Sequence, residues 1–209
     1  MTSWSSWPLF NKKVREHVIK TTKAGVAQIL DYSPEQNDFN PANPEELIDV
    51  LFPNNPLLCC GTSSWDSATK TREEFRDEII DLRFIVPSPM TLKTGISERG
   101  AESARTLSNT GPRRYLVIAQ NKGSLDDQAA VLWYLALNFG PLVLVVHANE
   151  NQLEGWFFCD GQSDDLVRSL MQQAVLLGAD YRTWQRCEFV TQPCYNLNPP
   201  IYFNPEVIV

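Results

Sequence analysis

The chain is short of the residues on which several common catalytic designs depend. It has only two histidines, His17 and His147, and no Ser-His-Asp or Cys-His arrangement is visible. It also lacks a GxGxxG fingerprint and a phosphate loop of the Walker type. These absences argue against a histidine-dependent hydrolase, a dinucleotide-binding enzyme and a P-loop nucleotidase.

Positive charge is also scarce. The sequence has 18 lysines and arginines against 25 aspartates and glutamates, which gives a net charge of −7. An acidic chain gains little from the counterion release that drives binding to nucleic acid, so such binding would need a local basic patch. The best candidate patch is on the first predicted helix, although a solvated helix face is the favoured interpretation: Lys12, Lys13, Arg15, Lys20 and Lys23.

Long apolar runs are missing as well. The longest, residues 141–146, is far too short to cross a bilayer, and the N-terminus has no basic start followed by an apolar segment. Five cysteines, an odd number, without zinc-type spacing indicate buried thiols in a reducing compartment. We therefore expect no membrane association and a cytoplasmic location.

The first half of the chain predicts a helical and α/β lobe over residues 1–112. The predicted elements are a helix over 11–30, a loop over 31–44, a short helix capped by Asn43 with Pro44 at its first position, a strand over 57–60, a helix over 71–80, a strand over 82–86 and a polar loop over 91–112.

The second half, residues 113–209, is more regular. Ser124 and Ser163 are predicted helix caps, each followed by two aspartates in the first turn. Strands are predicted over residues 114–119, 141–147, 154–159 and 187–191. The order β-α-β-β-α-β predicts an α/β (α+β) fold with a ferredoxin-like or RNA-recognition-motif-like core. A cleft between the two lobes is the expected site.

Several short sequence words together resemble the primase-polymerase domains of the archaeo-eukaryotic primase superfamily, in the bacterial branch found on mobile elements. The resemblance covers most of residues 51–203, and it depends on "FIVPSPM", "TGPRRYLVI", "LDDQAAVLWYL", "LVLVVH", "GWFF", "LGAD" followed by "TW", and "FV" before Pro193. The words are fairly specific as a set and weak singly.

The resemblance implies template-directed nucleotidyl transfer with two metal ions, Mg²⁺ or Mn²⁺. In the family, two carboxylates spaced i, i+2 at the end of the first core strand bind these ions, and alternation places both on one sheet face. The matching residues here are Ala119 and Asn121, and no acid follows until Asp126. The spacing is intact, but two of the three expected metal carboxylates are absent.

The other family positions are altered too, with one exception. Gln152 and Glu154 stand where the family has a serine and a histidine that hold the nucleotide phosphates, and Thr191 stands where it has an arginine. Asp180 matches the family's remaining aspartate. At five of the six positions the residue type needed for the family's reaction is absent, while the surrounding sequence motifs are retained. This pattern favours selection for the fold without the reaction.

Other residues could replace the lost chemistry. His147, Glu154 and Asp180, with Glu150 nearby, could form a substitute metal site, although the two glutamates also fit an ordinary polar turn. Arg114 beside Arg113 could contact phosphate, although solvated arginines are the default. Trp133, Tyr134 and Trp156 could stack on bases, with core packing favoured for Trp156.

Three functions remain open from the sequence. The first is a catalytically degenerate primase-polymerase-like module that binds nucleic acid, nucleotide or protein in replication of a mobile or phage-like element. The second is an active metal-dependent primase-polymerase with substitute ligands, and the third is a protein-interaction scaffold. The expected partners are single-stranded DNA or nucleotides, and a replicative helicase or another replication protein.

Overall fold

The fold is mixed α+β. A computed structural model describes residues 7–34, 45–195 and 200–208. Within these ranges five α-helices accompany three antiparallel sheets. The helices are α1 Lys12–Thr22, α2 Val26–Asp31, α3 Glu45–Leu51, α4 Leu125–Asn138 and α5 Asp164–Leu176. The strands are β1 Leu57–Gly61, β2 Ser67–Thr71, β3 Phe84–Ile85, β4 Gly95–Ile96, β5 Glu102–Ser103, β6 Tyr115–Gln120, β7 Leu142–Asn149, β8 Gln152–Phe158, β9 Val190–Thr191 and β10 Tyr202–Phe203. In the described ranges, no helix has both the length and the apolar character needed to cross a membrane.

The central sheet has the strand order β10-β7-β8-β6 and is buried on both faces. Leu116 and Ile118 of β6 face one way, into a core shared with α4 and α5. Tyr115 and Val117 alternate with them and face the opposite core. Burial on both faces explains why β7 is apolar almost without interruption.

The second core lies between the central sheet and a smaller sheet with the order β2-β1-β3-β9. Cys60, Ile85 and Val190 point inward from this sheet and belong to the same buried cluster as Val117 and Trp156. The molecule therefore has three layers: helices, central sheet and small sheet. Because β9 belongs to the small sheet, the predicted boundary between residues 112 and 113 does not separate the two sheets.

The ferredoxin-like arrangement is only partly reproduced. Three of its four predicted strands, β6, β7 and β8, form one antiparallel sheet with α4 and α5 packed on one face. The fourth predicted strand, over residues 187–191, shortens to β9 and pairs with β3 instead. Before β9 the chain passes the free edge of β6 as the 3₁₀-helix Tyr181–Trp184, and the N–H of Asp180 donates to the Ala119 carbonyl over 3.2 Å. The fourth strand of the central sheet is β10, which the sequence did not predict.

The predicted helix caps in the second half are confirmed. Ser124 accepts a hydrogen bond from the N–H of Asp127 at 3.1 Å, and Ser163 accepts one from the N–H of Leu166 at 3.3 Å. The cap predicted at Asn43 and Pro44 lies outside the described residues.

Several predictions in the first half are wrong. The single helix over residues 11–30 is broken, because Lys23 adopts a left-handed conformation with φ of 50° between α1 and α2. The predicted helix over residues 71–80 is replaced by two short 3₁₀-helices, Glu73–Phe75 and Ile79–Asp81. The polar loop over residues 91–112 contains the hairpin β4-β5.

Candidate functional site

The candidate site is centred on Glu154, at the point where the central and small sheets meet. Glu154 lies opposite Ala119 of β6 and Val146 of β7, so these three residues share one face of the central sheet. This face looks toward the small sheet. Glu154 is 5% exposed and Ala119 is 6% exposed, so the position where the family resemblance expects a metal carboxylate is closed to solvent.

The carboxylate of Glu154 joins the two sheets. Its Oε2 accepts the backbone N–H of Thr191 in β9 at 2.9 Å, and its Oε1 accepts from Nε2 of Gln152 at 3.3 Å. Burial raises the pKa of Glu154 to about 7, and the hydrogen bonds from Thr191 and Gln152 oppose that rise. Glu154 is therefore a structural bridge whose charge changes near neutral pH.

Asp180 also reaches this site, but its carboxylate is already engaged. It accepts the backbone N–H of Arg182 at 3.0 Å, which starts the 3₁₀-helix Tyr181–Trp184. The side chain of Arg182 pairs with the same carboxylate, with Nε 2.9 Å from Oδ2. The hydrogen bond from the Arg182 side chain lowers the pKa of Asp180, which stays ionised at neutral pH.

Five of the six family positions thus meet at one place. Ala119 and Glu154 are cross-strand neighbours, Gln152 and Thr191 bond to Glu154, and Asp180 bonds to the backbone of Ala119. Asn121, the sixth position, follows the last residue of β6 and is exposed. The sequence therefore identified residues that are neighbours in space, although only two of the six carry a carboxylate.

The predicted substitute metal set does not assemble. His147 pairs with Leu153, which faces the helix side of the sheet, whereas Glu154 faces the small sheet. Partial burial lowers the pKa of His147, so this side chain is neutral at pH 7. Over the described ranges, no group of three or more His, Cys, Asp or Glu side chains is placed to hold a metal, and His147, Glu154 and Asp180 do not form one.

Arg114 and Trp156, two of the other predicted ligand contacts, also lie elsewhere. Arg114 is at the opposite end of β6, where its Nε donates to the Leu51 carbonyl at 2.8 Å and Nη1 pairs with Asp160 at 3.5 Å. Trp156 is fully buried in the core between the sheets, which confirms the core interpretation.

The predicted basic patch on α1 loses its central member. Arg15 is buried, and its guanidinium donates to Oε1 of Gln120 at 2.8 Å and to the Leu177 carbonyl at 2.6 Å. A third hydrogen bond goes to the Lys122 carbonyl. Arg15 therefore fixes the chain that leaves β6 beside the candidate site.

A cleft of about 800 Å³ opens beside Glu154, and Thr191 belongs both to its wall and to the Glu154 bridge. Val26, Leu30, Val146 and Ile201 give it apolar surface. Polar groups come from residues that include Arg83, His147, Asn149, Glu150, Gln192 and Tyr195. Among the described lining residues Arg83 is the only lysine or arginine. The sequence had singled out His147, Glu150 and Thr191 of this wall. It gave no signal for Arg83 or for the apolar residues of α2, because these come from segments that no local pattern connects with the others.

Comparison with protein-family models, with curated proteins and with solved structures found no match for this chain.

Proposed function

We propose that the chain is a cytoplasmic primase-polymerase-like domain that binds a nucleotide or a short segment of single-stranded DNA in the cleft but does not transfer nucleotides. Its setting would be the replication of a mobile or phage-like element, beside a replicative helicase or another replication protein. Four of the five cysteines are buried, which is compatible with a reducing compartment.

The proposal is carried by one observation: both carboxylates among the six compared positions are already used within the protein. Glu154 bonds to Thr191 and Gln152, and Asp180 bonds to Arg182. A two-metal mechanism needs oxygen ligands that face the reacting phosphates. Ala119 and Asn121 offer no carboxylate there. The arrangement favours a ligand-binding role over nucleotidyl transfer.

The cleft supplies the features that a nucleotide site needs. About 800 Å³ is within the usual range for a small-molecule pocket. Arg83 offers a guanidinium for phosphate at one wall, and apolar side chains such as Val26 and Ile201 offer surface for a base or sugar. A single positive group favours a short ligand over a long nucleic-acid track.

Catalysis is tested by primer synthesis and extension with labelled nucleotides, Mg²⁺ or Mn²⁺ and a single-stranded template. We expect no product from the unmodified chain once its folding is confirmed by circular dichroism. The Ala119→Glu/Asn121→Asp variant runs beside it as the version with both strand-end acids restored. Template-dependent product from the unmodified chain would overturn the proposal and support the active enzyme with substitute ligands.

Binding is tested by fluorescence anisotropy with labelled single-stranded DNA and with a labelled nucleotide at several salt concentrations. Arg83→Gln should weaken binding about tenfold, because one charge-assisted hydrogen bond is lost. Arg76→Gln is the matched control, since Arg76 is exposed, pairs with Glu73 and does not line the cleft. Equal affinity in both variants would place any ligand outside the cleft.

A protein-interaction scaffold is the second candidate, and Trp65 favours it. This side chain is 95% exposed at the turn between β1 and β2. Exposed tryptophans are enriched at protein interfaces. If neither DNA nor nucleotide binds, while the Trp65→Ala variant folds normally, the scaffold becomes the better proposal.

A further inference from the structure

A second cavity, of about 680 Å³, lies at the opposite end of β6 from Glu154. Arg113, Trp184 and Arg186 line it. Arg113 and Ala119 are six residues apart along an extended segment, which is about 20 Å at roughly 3.3 Å per residue. None of its lining residues lines the cleft, so this cavity is separate from the site of the proposed function.

Arg113 is held in a fixed position at the wall of this cavity. Its guanidinium lies 4.6 Å from the centroid of the Trp184 ring and donates to the Trp184 carbonyl. Its Nη1 is buried and has no hydrogen-bond partner among the described residues. A buried donor without a partner costs free energy, so an anion that reached it would be stabilised.

Arg186 brings a second positive charge to the same cavity. It donates to the Gly111 carbonyl at 2.8 Å, which orients the guanidinium. The pKa of Arg113 is lowered to about 10, mainly by burial and also by the charge of Arg186, while Cys159 and Asp164 oppose the shift. Neither arginine forms an ion pair with a carboxylate within the part of the chain that the structure describes. Arg113 and Arg186 therefore share this cavity with a third arginine, Arg168, and Asp164 offsets part of the charge of Arg113.

We propose that this cavity binds the phosphate group of a small phosphorylated ligand, with the phosphate between Arg113 and Arg186. Guanidinium groups match phosphate oxygens in geometry and stay charged at neutral pH. A phosphate would neutralise the repulsion between the two arginines. The cavity volume leaves room for the remainder of a molecule the size of a mononucleotide.

Three acids oppose an anion at the rim of this cavity. Glu98, Asp164 and Asp165 are exposed members of the lining, and the two aspartates occupy the first turn of α5. Their exposure leaves their charge screened by water and salt, unlike that of the half-buried Arg113. They should nevertheless weaken anion binding. Removing one of these negative charges should therefore strengthen binding, whereas removing an arginine should weaken it.

The test is isothermal titration calorimetry at constant ionic strength with inorganic phosphate, AMP and adenosine as the ligands. The unmodified chain should bind phosphate or AMP but not adenosine, and Arg186→Gln should weaken that binding about tenfold or more. Asp165→Asn should strengthen it. Arg76→Gln, which alters an exposed arginine outside the cavity lining, should leave it unchanged.

The ligands also separate the two sources of phosphate. Binding of phosphate alone supports a free anion, and binding of AMP with weaker phosphate binding supports a nucleotide or related ester. AMP binding that survives Arg186→Gln but is lost in Arg83→Gln would assign the ligand to the cleft and overturn this inference. Absence of binding by both phosphate and AMP to a folded chain would overturn it as well.

Discussion

Glu154 and Asp180, the two carboxylates of the candidate site, have pKa shifts in opposite directions. Glu154 is buried and bonded only to neutral donors, so burial dominates and its pKa rises. Asp180 is partly exposed and bonded to the guanidinium of Arg182, so its pKa falls. A buried carboxylate without a cation is unusual, and it persists here because Thr191 would otherwise leave a backbone N–H without a partner.

This difference gives a prediction about pH. The folded-state pKa of Glu154 is about 7 against an ordinary value of 4.5, so the folded chain holds a proton that the unfolded chain releases between these values. The free energy of unfolding should therefore decrease as the pH rises from about 4.5 to 7, by about 3 kcal/mol from this group. Glu154→Gln removes the titration, so this variant should be more stable than the unmodified chain at pH 8, with the difference vanishing near pH 4.5.

Urea unfolding of both chains at pH 5 and pH 8 measures that difference. Glu150→Gln is the control, because Glu150 is an exposed residue of the neighbouring turn and its replacement should leave the pH dependence unchanged. A variant at Glu154 that lost the same stability at both pH values would contradict the prediction. It would show that the carboxylate is held in its charged form.

Arg15 illustrates why residue roles are hard to assign from sequence. Its neighbours Lys12, Lys13 and Glu16 are charged and exposed. The density of charged residues in this segment therefore favoured the interpretation that Arg15 lies on a solvated helix face. Its three acceptors are Gln120 and the carbonyls of Leu177 and Lys122, more than 100 residues away in the chain. No local pattern contains that information. By contrast, Ser124 and Ser163 each accept a hydrogen bond from a residue three positions later in the chain, so their roles as helix caps were predictable.

At the scale of elements, the break between α1 and α2 is the clearest departure from expectation. The apolar spacing across residues 11–30 is helical, but Lys23 closes α1 with φ of 50° and its N–H bonds to the Ile19 carbonyl. Gly25 is the N-cap of α2, and Asp126 of α4 accepts the N–H of Val26, the first residue of that helix, at 2.8 Å. The turn lets both helices pack on α4, and that tertiary contact overrides the local periodicity.

The left-handed residue at the end of α1 yields a second prediction. Glycine adopts positive φ at no steric cost and is the preferred residue after a helix end, so Lys23→Gly should stabilise the chain by about 0.5–1 kcal/mol. Lys20→Gly, at an exposed position inside α1, should destabilise it by about 1 kcal/mol. Urea unfolding of the pair measures both changes, and the same sign for the two would contradict the assigned turn.

At the scale of the whole molecule, the strands of the second half were predictable but their partners were not. Alternating and continuous apolar patterns located β6, β7 and β8, because each pattern is local. The pairing of β9 with β3 joins residues more than 100 positions apart, and only two residue pairs form it. Strands this short carry too little periodicity for their sheet to be assigned from sequence. The sequence therefore identified the residues around Glu154, whereas the cleft wall depends on the long-range arrangement of both sheets.

The contact between the two sheets also determines what should happen when the acids expected from the family resemblance are introduced. Ala119→Glu would place a second carboxylate opposite buried Glu154, with Cβ atoms about 5 Å apart. Without a cation, the Ala119→Glu/Asn121→Asp variant should be destabilised by about 2–3 kcal/mol, because an unpaired buried charge is costly.

Manganese should recover much of that loss, since a ligand at 100 times its dissociation constant stabilises the folded state by about 2.7 kcal/mol. Thermal unfolding with and without Mn²⁺ measures the recovery. Ala119→Gln is the matched control: it has the same bulk without the charge, so it should be destabilised and should not respond to manganese. Recovery only in the acid variant would show that this end of β6 still has the geometry of a metal site and lacks only the ligands. An acid variant that folds but does not respond would contradict the alignment of Ala119 and Asn121 with the family's metal positions.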